Sequence, residues 1–250
     1  MYVNDGAGSF VGREVALGQL NQHLAAVVST GHGRLVAVQG RRQIGKSTLV
    51  ERFVEAGGLP YLFFTGLRGA SQQQQLLNAQ RAVGESKRPW AEAELLSQPA
   101  SSWQDWWSRL AVAARQGPAV VVMDEFPWLT GGDVAIESAL QVVWDRQLEQ
   151  LPVLMVIVGS DVAMMERLQE HDRPLFGRLR SLVLGPLNPA EIASAAPQLA
   201  AREVFDAYLV TGGYPRLVTD LARTDGSVDD YVVAELADPY SPLVATARFT

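Results

Sequence analysis

Cysteine is absent from all 250 residues. A disulfide framework and a thiolate metal site are therefore excluded. Long apolar runs are absent as well: the longest is Val153–Val158, far short of the roughly 20 residues that span a bilayer. The amino terminus, Met1-Tyr2-Val3-Asn4-Asp5-Gly6, has neither the basic start nor the apolar stretch of a secretory signal. A basic surplus is missing too. The formal net charge of -6 argues against bulk electrostatic binding to nucleic acid or an anionic membrane, and leaves a local basic patch open. These absences point to a cytoplasmic protein without a membrane role. Against them stands a hydrophobic content of 48% with 19% charged residues. That supplies a real core, in one large domain or one domain with a small appendage.

The most informative stretch is Gly40-Arg41-Arg42-Gln43-Ile44-Gly45-Lys46-Ser47. It satisfies the phosphate-binding pattern G-x-x-x-x-G-K-[ST] at every fixed position. The apolar run Leu35–Val38 precedes it, and Thr48–Val54, apolar at helical spacing, follows. Strand, glycine loop and helix is the order the motif needs. Gly40 and Gly45 let successive N–H groups turn inward on phosphate oxygens. The helix start adds its positive partial charge. Lys46 is expected to reach the β- and γ-phosphates as a point charge, and the Ser47 hydroxyl to ligate Mg²⁺.

The remaining pattern sets the frame. Residues 1–9 are glycine-rich and polar and read as a loose end. Phe10–Glu14 leads into a helix with Leu17, Leu20, Leu24 and Val28 on one face, stopped by Gly31-His32-Gly33. Pro60–Thr65 reads as a strand. Residues 70–83 predict a helix with Gln72–Gln75 on its solvated face, and residues 84–98, without a period, a flexible surface segment. Ser102 and Asp105 resemble a capping box before a helix with Trp103, Trp106, Trp107, Leu110 and Ala114 on one face, a packing pattern rather than a base-stacking one.

Ala119–Met123 and Val153–Val158 have the composition of fully buried strands, and Asp133 caps the helix between them. Arg178–Leu184 is a fifth strand. After Gly185–Pro189 the chain turns helical, with Asn188 as cap and Pro189 at the first helical position. The alternation predicts an α/β fold: a three-layer P-loop NTPase with a parallel five-stranded sheet over residues 1–187, followed by a small all-helical lid subdomain over residues 188–250.

Val120–Met123 delivers Asp124 and Glu125 at a strand end. Paired with the phosphate loop, this reads as a Walker B element: Asp124 beside Ser47 in the Mg²⁺ shell, Glu125 as general base for the attacking water. Ser160, ending the next buried strand, is placed as a sensor of the γ-phosphate or the water, with a helix cap at Gly159-Ser160-Asp161 as the alternative. Arg167, Arg173, Arg178 and Arg180 cluster before the last strand. Arg178, after Gly177, is the candidate arginine finger; a solvated basic face or a nucleic-acid patch is the other reading.

The pieces in this order resemble the archaeal-type ATPase family, P-loop proteins of archaea and bacteria related to the AAA+ and STAND classes. The resemblance covers essentially the whole chain. It rests on Phe10-Val11-Gly12-Arg13-Glu14, on Gly40-Arg41-Arg42 through Gly45-Lys46-Ser47-Thr48-Leu49-Val50, and on Asp124-Glu125-Phe126-Pro127-Trp128-Leu129. Further along it rests on Gly159-Ser160, Pro174–Arg178, Leu184–Leu187 and Gly212-Gly213-Tyr214-Pro215. It implies ATP and Mg²⁺ as cofactors, held by Gly40, Arg41, Arg42, Gln43, Ile44, Gly45, Lys46, Ser47 and Thr48. It also implies that Val11, Gly12 and Arg13 lie against the base and sugar of the nucleotide, and that Pro215, from the helical lid, senses the bound state. Two departures stand out. Many relatives carry a second acidic residue two after Glu14, where this chain has Ala16. Relatives also usually continue into a winged-helix region and often a nuclease-like domain, so an output domain is expected to be either missing here or supplied in trans by a partner chain.

Three functions follow as expectations. The first is a slow Mg²⁺-dependent ATPase acting as a nucleotide-driven switch, possible as a homo-oligomer. The second is a DNA-associated motor or loader serving a mobile element or restriction system, supported by the arginines and opposed by the net acidity. The third is a non-hydrolysing nucleotide-binding scaffold, opposed by the intact Asp124-Glu125 pair. ATP is favoured over GTP by the resemblance and by the lack of a guanine-reading Asn-Lys-x-Asp motif.

Overall fold

The computed structural model describes residues 10–224 and 226–249, so the expectation for residues 1–9 lies outside the described residues. The chain divides into two compact units. One comprises Val15–Arg42 and Lys46–Leu184; the other comprises residues 10–14, Gln43–Gly45 and the chain from Gly185 onward. The sequence pattern drew its division at 187/188 and anticipated neither of the two short segments grouped with the helical unit.

In the larger unit the elements are α1 (Glu14–Thr30), β1 (Arg34–Gln39), α2 (Lys46–Ala56), β2 (Tyr61–Thr65), α3 (Gln72–Val83), α4 (Ala93–Ser97), α5 (Trp103–Ala114) and β3 (Ala119–Asp124). Then come α6 (Phe126–Thr130), α7 (Val134–Arg146), β4 (Val153–Gly159), α8 (Val162–Arg167) and β5 (Leu179–Val183). The strands form one parallel sheet in the order β2-β3-β4-β1-β5. Parallel strands need covered faces, and β3, apolar up to Asp124, and β4, apolar throughout, are buried at every position and sit inside it. The register pairs Gln39 with Gly159 and Thr65 with Asp124, so Gly40, Ser160 and Glu125 all leave the sheet at its carboxyl edge. Ligands of open α/β sheets bind at that edge.

The main core lies between the sheet and α3–α7. Trp103, Trp106 and Trp107 are buried in it around Phe64, with Trp106 and Trp107 centroids 4.8 Å apart. The tryptophan helix is thus packing, as its spacing predicts. Asp133 caps α7 by accepting the Ala135 N–H at 2.8 Å. Ser102 accepts the Asp105 N–H, but the Asp105 carboxylate turns to Ser101 and Arg109 instead of closing the box.

Three local expectations are corrected. The buried stripe of α1 is Ala16, Leu20, Leu24 and Val27, and Val28 is exposed. Steps of four residues drift about 40° per step on a helix with 3.6 residues per turn, so Val27 faces the core better than Val28. Residues 84–98 are anchored, not loose: Trp90 and Leu96 are buried, α4 lies within the segment, and the Leu96 carbonyl accepts the Trp106 indole N–H at 3.1 Å. A helix of five residues is too short to show a period. Gln75 belongs to no solvated face. Fully buried, it accepts from Leu67 N–H at 2.9 Å and donates to the carbonyls of Leu67 and Trp128.

The helical unit contains α9 (Pro189–Ala195), α10 (Ala201–Thr211), α11 (Pro215–Ala222), α12 (Val228–Ala237) and α13 (Pro242–Phe249). Its core is Leu187, Ile192, Val204, Ala207, Val218, Leu221, Val228 and Tyr231. Asn188 and Glu191 close a capping box at α9, and Ser227 and Asp230 another at α12. Each cap is worth about 1 kcal/mol, enough to set where a short helix begins.

Candidate nucleotide site

The phosphate loop runs from the end of β1 to the start of α2. Gly45 (φ +84°) and Gln43 (φ +61°) take left-handed backbone, which curls the loop; glycine does so at no steric cost. Ile44 is buried and anchors the crown, whereas Arg41, Arg42, Gln43 and Thr48 are exposed. Lys46 opens α2 and is buried. Its Nζ donates to the carbonyls of Gly40 at 2.9 Å and Arg41 at 2.8 Å. Burial lowers its pKa, against the opposing pull of Glu125 and Asp124. An ammonium held by two loop carbonyls is poised to exchange them for phosphate oxygens.

Asp124 ends β3, almost fully buried, and accepts the Glu125 N–H at 3.0 Å. Burial raises its pKa; the Ser47 hydroxyl, the Glu125 N–H and Lys46 pull the other way, and the Glu125 carboxylate adds to the rise. The Ser47 hydroxyl is thus among the groups that act on the Asp124 carboxylate. That donor set fits Mg²⁺, which takes one or two protein oxygens and completes its shell with phosphate and water. No cluster of three or more Asp, Glu or His side chains competes for a metal among the described residues.

Glu125 sits in left-handed backbone (φ 47°, ψ 49°) at the turn from β3 into α6. Gly66 holds that turn from the side. Its N–H donates to the Asp124 carbonyl at 2.7 Å, and a Cβ added to it would lie 2.6 Å from the Glu125 carbonyl oxygen. The Glu125 carboxylate accepts from the Ser160 hydroxyl, with both oxygens at 3.0 Å. Asp161, not Ser160, caps α8, by accepting the Met164 N–H. The cap in Gly159-Ser160-Asp161 thus falls to Asp161, and Ser160 bonds Glu125 instead.

Glu51, which drew no attention in sequence, stands on α2 near Asp124. Burial first, then Asp124 and Glu55, raise its pKa. Arg178 lies elsewhere. Its Nε and Nη2 donate to Asp145 at 2.6 and 2.7 Å, and its Nη1 to the carbonyls of Pro174 and Phe176. The neighbouring Arg173 pairs with the buried Glu137.

In the helical unit, Gly12 and Arg13 are both left-handed, with φ 64° and 73°. The Arg13 N–H donates to Glu191 at 2.8 Å. Its buried guanidinium donates to the carbonyls of Gly185 at 2.8 Å and Ile44 at 2.9 Å. Val11 packs on the core of the same unit. Pro215 is the first residue of α11, and its Cγ would lie 3.6 Å from a Cβ added to Gly45. No helix among the described residues is long and apolar enough to cross a membrane.

Comparison with known proteins bears on the fold and the family. A curated relative, an uncharacterized protein of Methanocaldococcus jannaschii, is 23% identical over 209 residues, or 82% of this chain and 42% of the relative. The chain thus spans less than half the length of that relative. Among solved structures, the Walker-type ATPase of Pyrococcus abyssi superposes with a TM-score of 0.64 at 16% identity, covering 85% of this chain and 67% of that one. The ORC2 protein of Aeropyrum pernix, in ADPNP and ADP complexes, gives 0.60 at 15%, covering 94% and 70%. A STAND protein of Pyrococcus horikoshii with a tetratricopeptide repeat sensor gives 0.55 at 14%, covering 91% and 32%. These likenesses establish the fold. Residues 10–221 match the family described as an ATPase domain predominantly from Archaea, and the chain belongs to that family of P-loop ATPase domains.

Proposed function

We propose that this chain binds Mg·ATP, hydrolyses it slowly, and uses the difference between ATP and ADP as a conformational switch. The observation that carries the reading is the grouping of Lys46, Ser47, Asp124, Glu125 and Ser160 at the carboxyl edge of one sheet, with Glu125 and Ser160 already bonded. Lys46 and the loop N–H groups bind the phosphates. Ser47 and Asp124 hold Mg²⁺, which neutralises charge on the β- and γ-oxygens. Glu125 orients the attacking water and takes its proton, and Ser160 keeps that carboxylate in place. Pro215, against the crown of the loop, is suited to read whether phosphates fill it.

Arg178 can serve as a finger only after release from Asp145. The DNA-loading alternative loses weight for a similar reason: of the four arginines behind it, Arg173 and Arg178 are spent on Glu137 and Asp145. Steady-state ATP turnover, with Lys46→Ala as control, tests the proposal. Equal rates in wild type and variant would sink it. Turnover per chain measured against protein concentration then tests for an oligomer, which a rising rate would support.

A further inference from the structure

We propose that Arg13 is a positioning residue for the phosphate loop, acting through the Ile44 carbonyl and not through the nucleotide's base or sugar. The proposal rests on the nucleotide-binding reading above only for its effect on affinity.

Arg13 is held from both ends. Gly12 and Arg13 both have positive φ, and the turn they make brings the Arg13 N–H onto Glu191. Its Oε1 accepts the Arg13 N–H while its Oε2 accepts the Asn188 N–H of the α9 capping box. Gly12 is needed for this approach, since a Cβ there would stand 2.9 Å from the Glu191 Cβ. The guanidinium then extends into the protein, 6% exposed, and its two Nη atoms are divided between two carbonyls, those of Ile44 and Gly185.

The bond to Ile44 has a stereochemical consequence. A trans peptide is planar, so its C=O and N–H point in opposite directions. Fixing the Ile44 carbonyl on Arg13 aims the Gly45 N–H the other way, which is the direction a phosphate-cradling loop requires. The other carbonyl, Gly185, is where the continuous helical part of the chain begins. One cation therefore ties the orientation of a loop peptide to the start of the helical unit. A lysine does not reproduce this arrangement, because its one nitrogen would have to reach both carbonyls that the two Nη atoms of the guanidinium reach separately.

The test compares wild type, Arg13→Lys and Arg13→Ala by two readouts. In nucleotide-free protein, amide hydrogen exchange should quicken in peptides covering residues 40–47 and 185–192 in both variants, while sheet peptides stay protected. With Mg²⁺ and a fluorescent ATP analogue, Arg13→Lys should lose about tenfold in affinity, the scale of one charge-assisted hydrogen bond. Millimolar guanidinium should restore affinity to Arg13→Ala, and methylammonium should not. Unchanged exchange at residues 40–47 overturns the proposal. So does a drop in melting temperature with affinity intact, which would make Arg13 only a structural tie. If wild type binds no ATP, the functional reading fails by itself and the exchange result alone decides Arg13.

Discussion

The Ser160 hydroxyl lies 3.0 Å from each carboxylate oxygen of Glu125. One proton serves both, so the bond is shared and holds the carboxylate face-on to the end of β4. Ser160→Ala removes that donor without touching the phosphate loop. Turnover should fall about tenfold or more, the loss of a hydrogen bond to a charged group, while ATP affinity stays as in wild type. Ser160→Thr keeps the hydroxyl and should keep most of the rate. Steady-state kinetics beside equilibrium binding separates the two effects, and an unchanged kcat in Ser160→Ala would refute the assignment.

Glu125→Gln keeps the shape and removes the base. ATP should still bind, and hydrolysis should drop by about 10²–10⁴, the usual contribution of a positioned general base. Single-turnover measurement on pre-bound ATP reads this directly. A variant as fast as wild type would move the base elsewhere.

Asp124 is a buried carboxyl that costs stability. Burial holds its carboxyl above the usual carboxylate range, so the charged form is disfavoured in the folded chain. Between the unfolded and the raised folded pKa, the folded state keeps a proton that the unfolded state has lost, and stability falls as pH rises through that window. Asp124→Asn should therefore raise the melting temperature of the nucleotide-free protein at neutral pH, by about 2–4 °C per kcal/mol recovered. The same change should abolish the gain in ATP affinity that Mg²⁺ confers. In wild type, that gain should fade as pH drops through the raised pKa, because a protonated carboxyl is a poor ligand. Calorimetry and a pH series of binding curves check both.

Glu137 is fully buried and pairs with Arg173, yet Glu137 Oε2 and Arg173 Nε have no hydrogen-bond partner among the described residues. Burial raises the Glu137 pKa, outweighing the arginine. Arg173→Met strands the carboxylate and should cost about 3–5 kcal/mol in urea denaturation at neutral pH. Lowering the pH should recover part of that loss by protonating Glu137. The double variant Glu137→Leu/Arg173→Met should regain most of it; a double variant as weak as the single would show that the pair matters for more than charge.

Gly66→Ala tests the backing of the Glu125 turn. The new methyl would start 2.6 Å from the Glu125 carbonyl and 2.7 Å from the Leu129 nitrogen. Backbone must shift, so both stability and turnover should fall, stability by about 1–3 kcal/mol as for overpacked sites. Wild-type values for both would mean that the turn yields more readily than its packing indicates.

Much of the candidate site's layout is legible in the sequence. The phosphate loop is contiguous, and its curl follows from backbone geometry that its glycines announce locally. Asp124 and Glu125 were legible because a buried strand has a distinctive composition and its end is marked. Ser160 needed the strand order: only the register of Gln39 with Gly159 brings the ends of β1 and β4 level. Gln75 and the segment from 84 to 98 were misread because a single buried polar side chain and a five-residue helix leave no periodic trace.

Arg13 and Arg178 mark where reading by sequence stops. Both were picked out as arginines with a task, and both partners lay far along the chain: Ile44 and Gly185 for one, Asp145 for the other. Backbone carbonyls carry no residue signature, and an exposed aspartate on α7 looks like any other. The sequence by itself determined the P-loop, the parallel sheet, the helical tail and which side chains stand at the strand ends, because these follow from local periodicity and short-range backbone geometry. Only the tertiary structure decided that the crown of the phosphate loop groups with the helical unit, and which acceptor each arginine found. Those choices are made by long-range packing, which brings together groups whose attraction depends on distance in space and not on order in the chain.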